Sequence, residues 1–561
     1  MDPGPSLSKA STWQYQQQVI DAEIKSLEES LRGLRQRRNR LSPISSLPTE
    51  VIAAIFYLLR EQPDTYSALP VAHVCHRWRE IALDHPLFWS HLDFATVSPA
   101  GATEILARAG MAPLYLEASL PIRHRGYNSA LSWYAAVQKE LRTHLSHIYR
   151  LQMRIEPVHL NRTLEGLISP APTLEHLSLS PDYGAEQCPV SIPDTLFDAT
   201  TPKLTSLEIF HCDISWKSPL LKSLKLETLT LYGIVPSLTD WLDTLDEMPQ
   251  LRSLSLHSAS PSTSLLPFDI KRTVTLPSLA HLDISDPVLG CALALAHLVL
   301  PSLTSLRIRV TSDQPTIDEV QNLLPYVAQH AHGPQDTHPL QRLIIFHEFN
   351  RLIIKAWPMP SIDDVEDDAT LSERLDLFIT IYSINVPIDN VTILNVVMAA
   401  LPLDSLVTLT CPPQLESRSG FEEDFWRRHV SRWTLLRHVH LAPHPAHRFR
   451  QLLLQDNGGR ECPLFPLLAR FELIDGALSA RSTRLLCDML MKRVEQGVPL
   501  EVLDLRSCTA TGPAIRLLSE IVVDVRGPEN LESVRTDGLM DLTMDGAHSF
   551  VSDYDSEEDW W

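Results

Sequence analysis

The chain has 561 residues, 44% apolar and 21% charged, the make-up of a folded protein rather than a disordered or fibrous one. Its formal net charge of −21 is the wrong sign for displacing counterions from phosphate, which argues against nucleic acid or anionic membrane as the main partner. The eight cysteines (Cys75, Cys188, Cys212, Cys291, Cys411, Cys462, Cys487, Cys508) are dispersed with no C-x-x-C pair, which points to buried thiols in a reducing compartment rather than a zinc ribbon or a disulfide framework.

Residues 1–18 are polar, lack the apolar core of a secretory signal and are expected to be disordered. The apolar run from Cys291 to Leu300 is interrupted by His297, stopped by Pro301 and too short to span a bilayer. The expected location is intracellular, in the cytoplasm, the nucleus or both.

Residues 19–42 come next. Ile20, Ile24, Leu27, Leu31, Leu34 and Leu41 alternate spacings of three and four, with Arg38 where the series would continue. That is a heptad seam on an amphipathic helix. Two readings are open: a short coiled coil that makes a weak homodimer, or a single helix packed on its own chain. Arg32, Arg35, Arg37, Arg38 and Arg40 cluster at its end, as an import signal, an acid-binding patch or simply a solvated face.

Pro48 suits the first position of a helix, and Glu50 in the first turn complements the helix dipole. Val51 through Leu59 is then apolar almost all round, whereas a surface helix shows one apolar stripe. A second helical segment is expected over Leu69–Leu83, followed by Pro86-Leu87-Phe88-Trp89. A unit this small cannot enclose its first helix on every side. The surplus apolar face therefore calls for a partner.

Leu47-Pro48-x-Glu50-Val51-Ile52-x-x-Ile55-Phe56, then Val74-Cys75-His76-Arg77-Trp78-Arg79-x-Ile81-Ala82, then Leu87-Phe88-Trp89 resembles an F-box, here bounded at residues 43–92. The resemblance implies a three-helix module that binds the Skp adaptor of SCF-type cullin–RING ubiquitin ligases. By that resemblance the adaptor-binding residues are Leu47, Pro48, Glu50, Val51, Ile52, Ile55, Phe56, Leu59, Val74 and Trp78. Each also has an alternative role in the module's own core. Trp89–Phe94 and Ala107–Leu116 resemble, more loosely, the segment that follows the box in fungal F-box families.

Residues 93–530 carry an internal repeat, P-x-L-x-x-L-x-[LI]. Copies begin at Pro172, Pro202, Pro219, Pro249, Pro277 and Pro301, at spacings of 17 to 37 residues on to Leu340. Looser copies are Leu340-Leu343-Ile345, Leu436-Val439-Leu441, Leu468-Phe471-Leu473 and Leu500-Leu503-Leu505, with an earlier candidate at Ile148-Leu151-Met153. In such repeats alternate leucines point inward and the residues between them line an open face. Proline ahead of each copy stops a helix and favours extended backbone.

The expected fold is therefore α/β: an N-terminal helical F-box module, then an irregular leucine-rich-repeat solenoid with a sheet of parallel strands. Geometry is expected to weaken between Phe346 and Leu436, where the acidic run Asp363–Asp368 falls. Phe210, Tyr232, His257, Arg307, Arg309, Phe346, His440 and Arg506 are the anchors expected on a target-binding face, with Glu208, Lys225, Ser255, Asp283, Glu472 and Asp504 beside them.

No phosphate-cradling G-x-x-x-x-G-K-[ST] loop occurs, and His347-Glu348 is not completed because position 351 is arginine. The histidine groups 330/332/338 and 438/440/444/447 have no second ligand set beside them in sequence. The expectation is a non-enzymatic protein without cofactor or metal. Residues 531–561 read as an acidic tail with Ser556 among carboxylates and two terminal tryptophans.

Overall fold

The computed structural model describes residues 9–61, 69–119, 127–182, 188–261, 272–301, 304–312, 315–332, 339–348, 351–358, 377–382, 390–413, 423–429, 432–454 and 463–528. The acidic run at 363–368, Cys462, Ser556 and the acidic tail lie outside the described residues. The chain forms two units, residues 1–410 with 414–434 and residues 411–413 with 435–561.

The first unit opens with helix α1 (Lys9–Arg40). It starts upstream of residue 19, and Leu41 falls beyond its last turn. Arg37, Arg38 and Arg40 in that turn complement the dipole. Packing of the seam on its own chain is not what is found among the described residues: Ile20, Ile24, Leu27, Leu31 and Leu34 are 48–65% exposed. Gly33, Gln36 and Asn39, on the other side of the helix, are half-buried instead. There the Ser45 hydroxyl, in the 3-10 turn Pro43–Ser46, donates to the Asn39 carbonyl at 2.8 Å.

Helix α2 (Thr49–Glu61) begins one residue later than expected. Pro48 precedes it, and its carbonyl accepts from the Ile52 N–H at 3.2 Å. That is a cap rather than a first helical residue. The second helical segment is split. Leu69–His73 is a 3-10 turn, Cys75 is extended, and helix α3 (His76–Leu83) follows. A 3-10 turn, Pro86–Trp89, then hands the chain to strand β1 (His91–Asp93).

From there strands and helices alternate. Helix α4 (Pro99–Ala109) leads to β2 (Leu114–Ser119), α5 (Tyr127–His144) to β3 (Ile148–Ile155), and α6 (Pro157–Gly166) to β4 (His176–Pro181). Next come β5 (Val190–Ile192), β6 (Ser206–Phe210), β7 (Cys212–Ile214), β8 (Thr228–Tyr232), α7 (Leu238–Asp246) and β9 (Ser253–His257). Then follow β10 (Val274–Thr275), β11 (His281–Asp286), α8 (Val288–His297), β12 (Leu298–Val299), β13 (Ser305–Thr311) and α9 (Ile317–His332). The unit closes with β14 (Arg342–Glu348), β15 (Arg351–Trp357), β16 (Leu377–Tyr382), α10 (Asn390–Ala400), β17 (Thr408–Cys411) and α11 (Glu423–His429).

Strands β1, β2, β3, β4, β6, β8, β9, β11, β13 and β16 pair side by side in that order, all parallel. The alternating leucines explain the ladder. Leu207 and Ile209, Leu229 and Leu231, Leu254 and Leu256, and Leu282 and Ile284 are each at most 1% exposed, while the residues between them stay half-open. Burying one such side chain contributes about 1.5–3 kcal/mol. Short parallel pairs, β5 with β7 and β10 with β12, run outside this sheet.

Two expectations are corrected. The copy at Leu221-Leu224-Leu226 is not a strand: Leu224 and Lys225 are exposed, and β8 uses Leu229 and Leu231. Leu226-x-x-Leu229-x-Leu231 fits the same pattern, but Pro219 drew the register to the earlier leucines. The parallel order also breaks after β13. Its neighbour is β16, which pairs antiparallel with β15, which pairs antiparallel with β14. Only then does β14 resume parallel pairing, with β17. The expected irregularity beyond Phe346 is thus an inserted antiparallel hairpin.

In the second unit β18 (His438–Leu441), α12 (Pro443–Leu454), β19 (Arg470–Leu473), α13 (Ala480–Glu495), β20 (Val502–Asp504), α14 (Gly512–Ser519) and β21 (Asp524–Arg526) repeat the strand–helix alternation. Their strands pair parallel in chain order. Arg493 of α13 is 1% exposed and donates to the carbonyls of Leu464 at 3.1 Å and Phe465 at 3.1 Å.

Candidate functional site

The helical module has two apolar faces on one helix. Ile52, Ala53 and Phe56 point into the module and are buried. The Phe56 ring meets Trp78 edge-on at 5.2 Å and Phe88 at 5.9 Å between centroids. The Trp89 indole donates to the Ala82 carbonyl at 2.6 Å. On the opposite side of α2, Val51, Leu58 and Leu59 are exposed and Ile55 is half-buried. Positions 51, 55, 58 and 59 share one helical face.

Each sequence-predicted adaptor residue can now be located. Val51, Leu59 and Val74 are exposed and apolar, Pro48 and Glu50 are exposed at the start of α2, and Leu47, Ile55 and Trp78 are half-buried. Ile52 and Phe56, at 1% exposure, take the core role that was open to them as the alternative. Periodicity alone did not separate them, because the helix is apolar on both sides. Leu58, Leu83 and Leu87 are exposed as well. Arg77 of α3 reaches back to the segment before α2, donating to the main-chain carbonyls of Ser45 and Leu47.

A family model described as F-box-like matches residues 44–95. Residues 44–95 are an F-box-like domain. The matched span covers the 3-10 turn at Pro43–Ser46 from its second residue, both helices and β1. No curated protein matches the sequence. Among solved structures, an internalin from Listeria monocytogenes aligns over 70% of this chain and 88% of its own, at 14% identity and a TM-score of 0.27. A Bacteroides fragilis protein aligns over 72% and 73% respectively, at 11% identity and a TM-score of 0.18. Similarity at that level bears on neither fold nor function here.

The F-box-like domain runs directly into the sheet. The Tyr115 N–H donates to Ser90 O at 2.9 Å, Phe94 N–H to Glu117 O at 2.9 Å, and the Trp133 indole to Phe94 O at 2.9 Å. The Arg108 guanidinium lies 4.8 Å over the Trp89 ring.

On the open face of the sheet, side chains at matching register form rows. Phe210, Tyr232 and His257 are register partners on β6, β8 and β9. Tyr232 stacks on His257 at 5.5 Å and lies 6.2 Å from Phe210. The row continues through Ser285, Arg309, Thr380 and Ile353 to Phe346. The hairpin therefore keeps Phe346 in line but several strands from Arg309. Beside this row Asp283 holds Arg309 at 2.5 Å and Arg307 at 3.9 Å, and Arg307 lies 5.3 Å from the centre of Phe378. Burial pushes the His257 imidazole pKa down, with Asp283 opposing. Neutral His257 thus extends an aromatic strip rather than a cationic one.

A second aromatic row escaped the sequence reading. His91 stacks on Tyr115 at 4.2 Å, Tyr115 meets Tyr149 at 5.1 Å, and Tyr149 meets His176 at 5.4 Å. Tyr57 of α2 lies 6.2 Å from His91. Next to it, Asp93 and Glu117 are register partners. Burial raises both carboxyl pKa values, and the Asp93 charge raises that of Glu117 further. The alternation His91-Leu92-Asp93 and Leu114-Tyr115-Leu116-Glu117 was the available signal.

His440 and Arg506 belong to the second unit. His440 Nδ1 is 2.6 Å from a Glu472 carboxylate oxygen, and Arg506 and Arg470 each donate to Asp504 at 2.8 Å. Within that unit these side chains form a charged network, with Arg470 also 3.6 Å from Glu472. Among the described residues no group of three or more His, Cys, Asp or Glu is placed to hold a metal ion. Cys212, Cys291, Cys411 and Cys508 are buried, and burial pushes the Cys212 thiol up to about 12. Among the described residues no helix is long and apolar enough to cross a membrane.

Proposed function

We propose that this chain is a substrate-receptor subunit of an SCF-type cullin–RING ubiquitin ligase. Its F-box-like domain docks on the Skp adaptor, and its repeat sheet captures a target protein. The observation that carries this reading is the uncovered apolar face of α2, Val51, Ile55, Leu58 and Leu59, in a domain whose core is already filled by Ile52 and Phe56. Apolar surface left over after a core is complete is characteristic of a partner site.

The target face is the strip Phe210–Tyr232–His257 with the Arg307–Arg309–Asp283 group beside it. Large rings held in register lose little entropy on binding, and arginine beside an aromatic ring is a common anchor. On this reading no residue of the chain performs bond chemistry. Its contribution is to raise the effective concentration of the target near the ligase core.

The test is co-purification of the full chain with the Skp adaptor and cullin, with Leu47→Ala combined with Ile55→Ala as the control. Wild type should recover both partners and the double variant neither. Adaptor without cullin would favour a repeat scaffold uncoupled from ubiquitination. No adaptor at all would overturn the ligase role.

A further inference from the structure

Helix α1 is attached by the wrong side for an ordinary amphipathic helix. Gln36 and Asn39 face the F-box-like domain beside Ser45 and Arg77 and are half-buried, whereas the apolar seam faces away. The seam residues alternate by three and four over Ile20, Ile24, Leu27, Leu31 and Leu34. Trp13 falls one heptad before Ile20 and is 73% exposed. A seam of this period is covered by another helix, not by a sheet or a groove of different pitch.

The charges flanking the seam identify that helix. Asp21, Glu28 and Arg35 follow the seam on one side, and Glu23, Ser30 and Arg37 precede it on the other. All six are exposed. In a parallel pair of identical helices, Glu23 would face Glu28 of the second copy, a like-charge contact made twice. In an antiparallel pair with Leu27 against Leu31, the acidic half of each helix meets the basic half of the other. Asp21 then faces Arg35 and Glu23 faces Arg37, each contact made twice. A single like-charge contact remains, Glu28 against Glu28 at the centre. The Arg38 stem covers Ile20 while its guanidinium stays in water beside Asp21.

We infer that α1 pairs with α1 of a second copy of this chain as an antiparallel two-stranded coiled coil. This does not depend on the ligase reading. With the crossing centred near Glu29 and 1.5 Å of rise per residue, the two Arg40 residues lie roughly 30 Å apart. The two F-box-like domains therefore leave from opposite ends of the pair.

The experiment is sedimentation equilibrium on the full chain and on two charge-swapped variants, Asp21→Arg with Glu23→Arg, and Arg35→Glu with Arg37→Glu. Wild type is expected to form a dimer. Each variant alone places like charges at all four of these flanking contacts and should dissociate at a concentration about tenfold higher or more. An equimolar mixture of the two restores opposite charges at all four contacts and should recover a dimer at least as tight as wild type. A parallel pair gives a different result, because Glu23→Arg would then set a positive charge against Glu28 and tighten the first variant. That outcome, or a monomeric wild type, overturns the proposal, and a monomer would assign the seam to a different chain's helix. Leu27→Glu with Leu31→Glu should abolish the dimer, and a dimer that survives it also overturns the proposal.

Discussion

Arg77 donates from its Nη2 to the main-chain carbonyl oxygen of Leu47 at 2.8 Å, thirty residues back along the chain. The same guanidinium also reaches the Ser45 carbonyl. One side chain on α3 thus fixes the segment that leads into α2 and sets the angle at which the free apolar face of α2 is presented.

Arg77→Ala should therefore weaken adaptor binding more than it weakens folding. A hydrogen bond to a charged group contributes about 1.5–3 kcal/mol, and the orphaned carbonyls here are near water and can recover part of that. The expected result is an adaptor affinity reduced about tenfold with a small loss of thermal stability. Titration calorimetry against the adaptor, set beside a melting curve, reads both. Unchanged affinity would show that the segment holds its course without Arg77.

Phe56 and Leu58 should behave as opposites although they are two residues apart. Phe56→Ala empties a core position touched by Trp78 and Phe88 and should cost about 3–5 kcal/mol of stability. Leu58 is 60% exposed, so Leu58→Glu should leave the melting temperature within error and abolish adaptor capture. Loss of folding in Leu58→Glu would mean that this face is covered within the chain.

His429 should make the first unit acid-sensitive. It is buried among Phe425, Trp433 and its own helix, with Trp433 stacked at 5.6 Å, and burial, aided by Arg432 and Arg428, lowers its pKa to about 4. The unfolded chain binds the proton first, near the ordinary value of 6.5. Stability is complete above that value and falls as the pH drops toward the folded value, by up to about 3 kcal/mol in all. Urea melts between neutral pH and pH 4 should show the loss, and His429→Phe should reduce it while His144, His147 and His257, whose pKa values burial also lowers, keep the remainder.

Gly233→Ala should disturb the aromatic strip from behind. Gly233 has φ +71°, and a Cβ there would lie 2.6 Å from the His211 ring, which packs on Tyr232 at 4.5 Å. The strained backbone should cost about 1–3 kcal/mol and displace Tyr232 from His257. Target capture should fall while adaptor capture is unchanged, as a pull-down with both partners would show.

What could be read in advance followed periodicity. The F-box-like segments and most strands were legible because L-x-x-L-x-L and an all-apolar helix are local patterns. Phe210 and His257 each directly follow the last leucine or isoleucine of their copies, whereas Tyr232 does so only after Leu231, in the register that Pro219 obscured. Patterns that satisfy two registers were not legible: Leu221-x-x-Leu224-x-Leu226 and Leu226-x-x-Leu229-x-Leu231 overlap, and only burial decides between them. The antiparallel return of β15 was also invisible, since Arg351–Trp357 carries the same branched residues as its parallel neighbours and strand direction leaves no mark on composition. The roles of Ile52 and Phe56 against Val51 and Leu58 needed coordinates because both faces of α2 are greasy.

The bonds from Tyr115 to Ser90, from Phe94 to Glu117 and from Trp133 to Phe94 tie the end of the F-box-like domain into the first strands. A captured protein would travel with that domain as though bolted to it. On the proposed ligase assignment, which of its lysines come within reach of the transfer machinery would be dictated by where on the strip it grips. Moving the grip by one strand would shift the whole cargo by nearly 5 Å, so selection of the modified lysine becomes a matter of rigid measurement rather than of search.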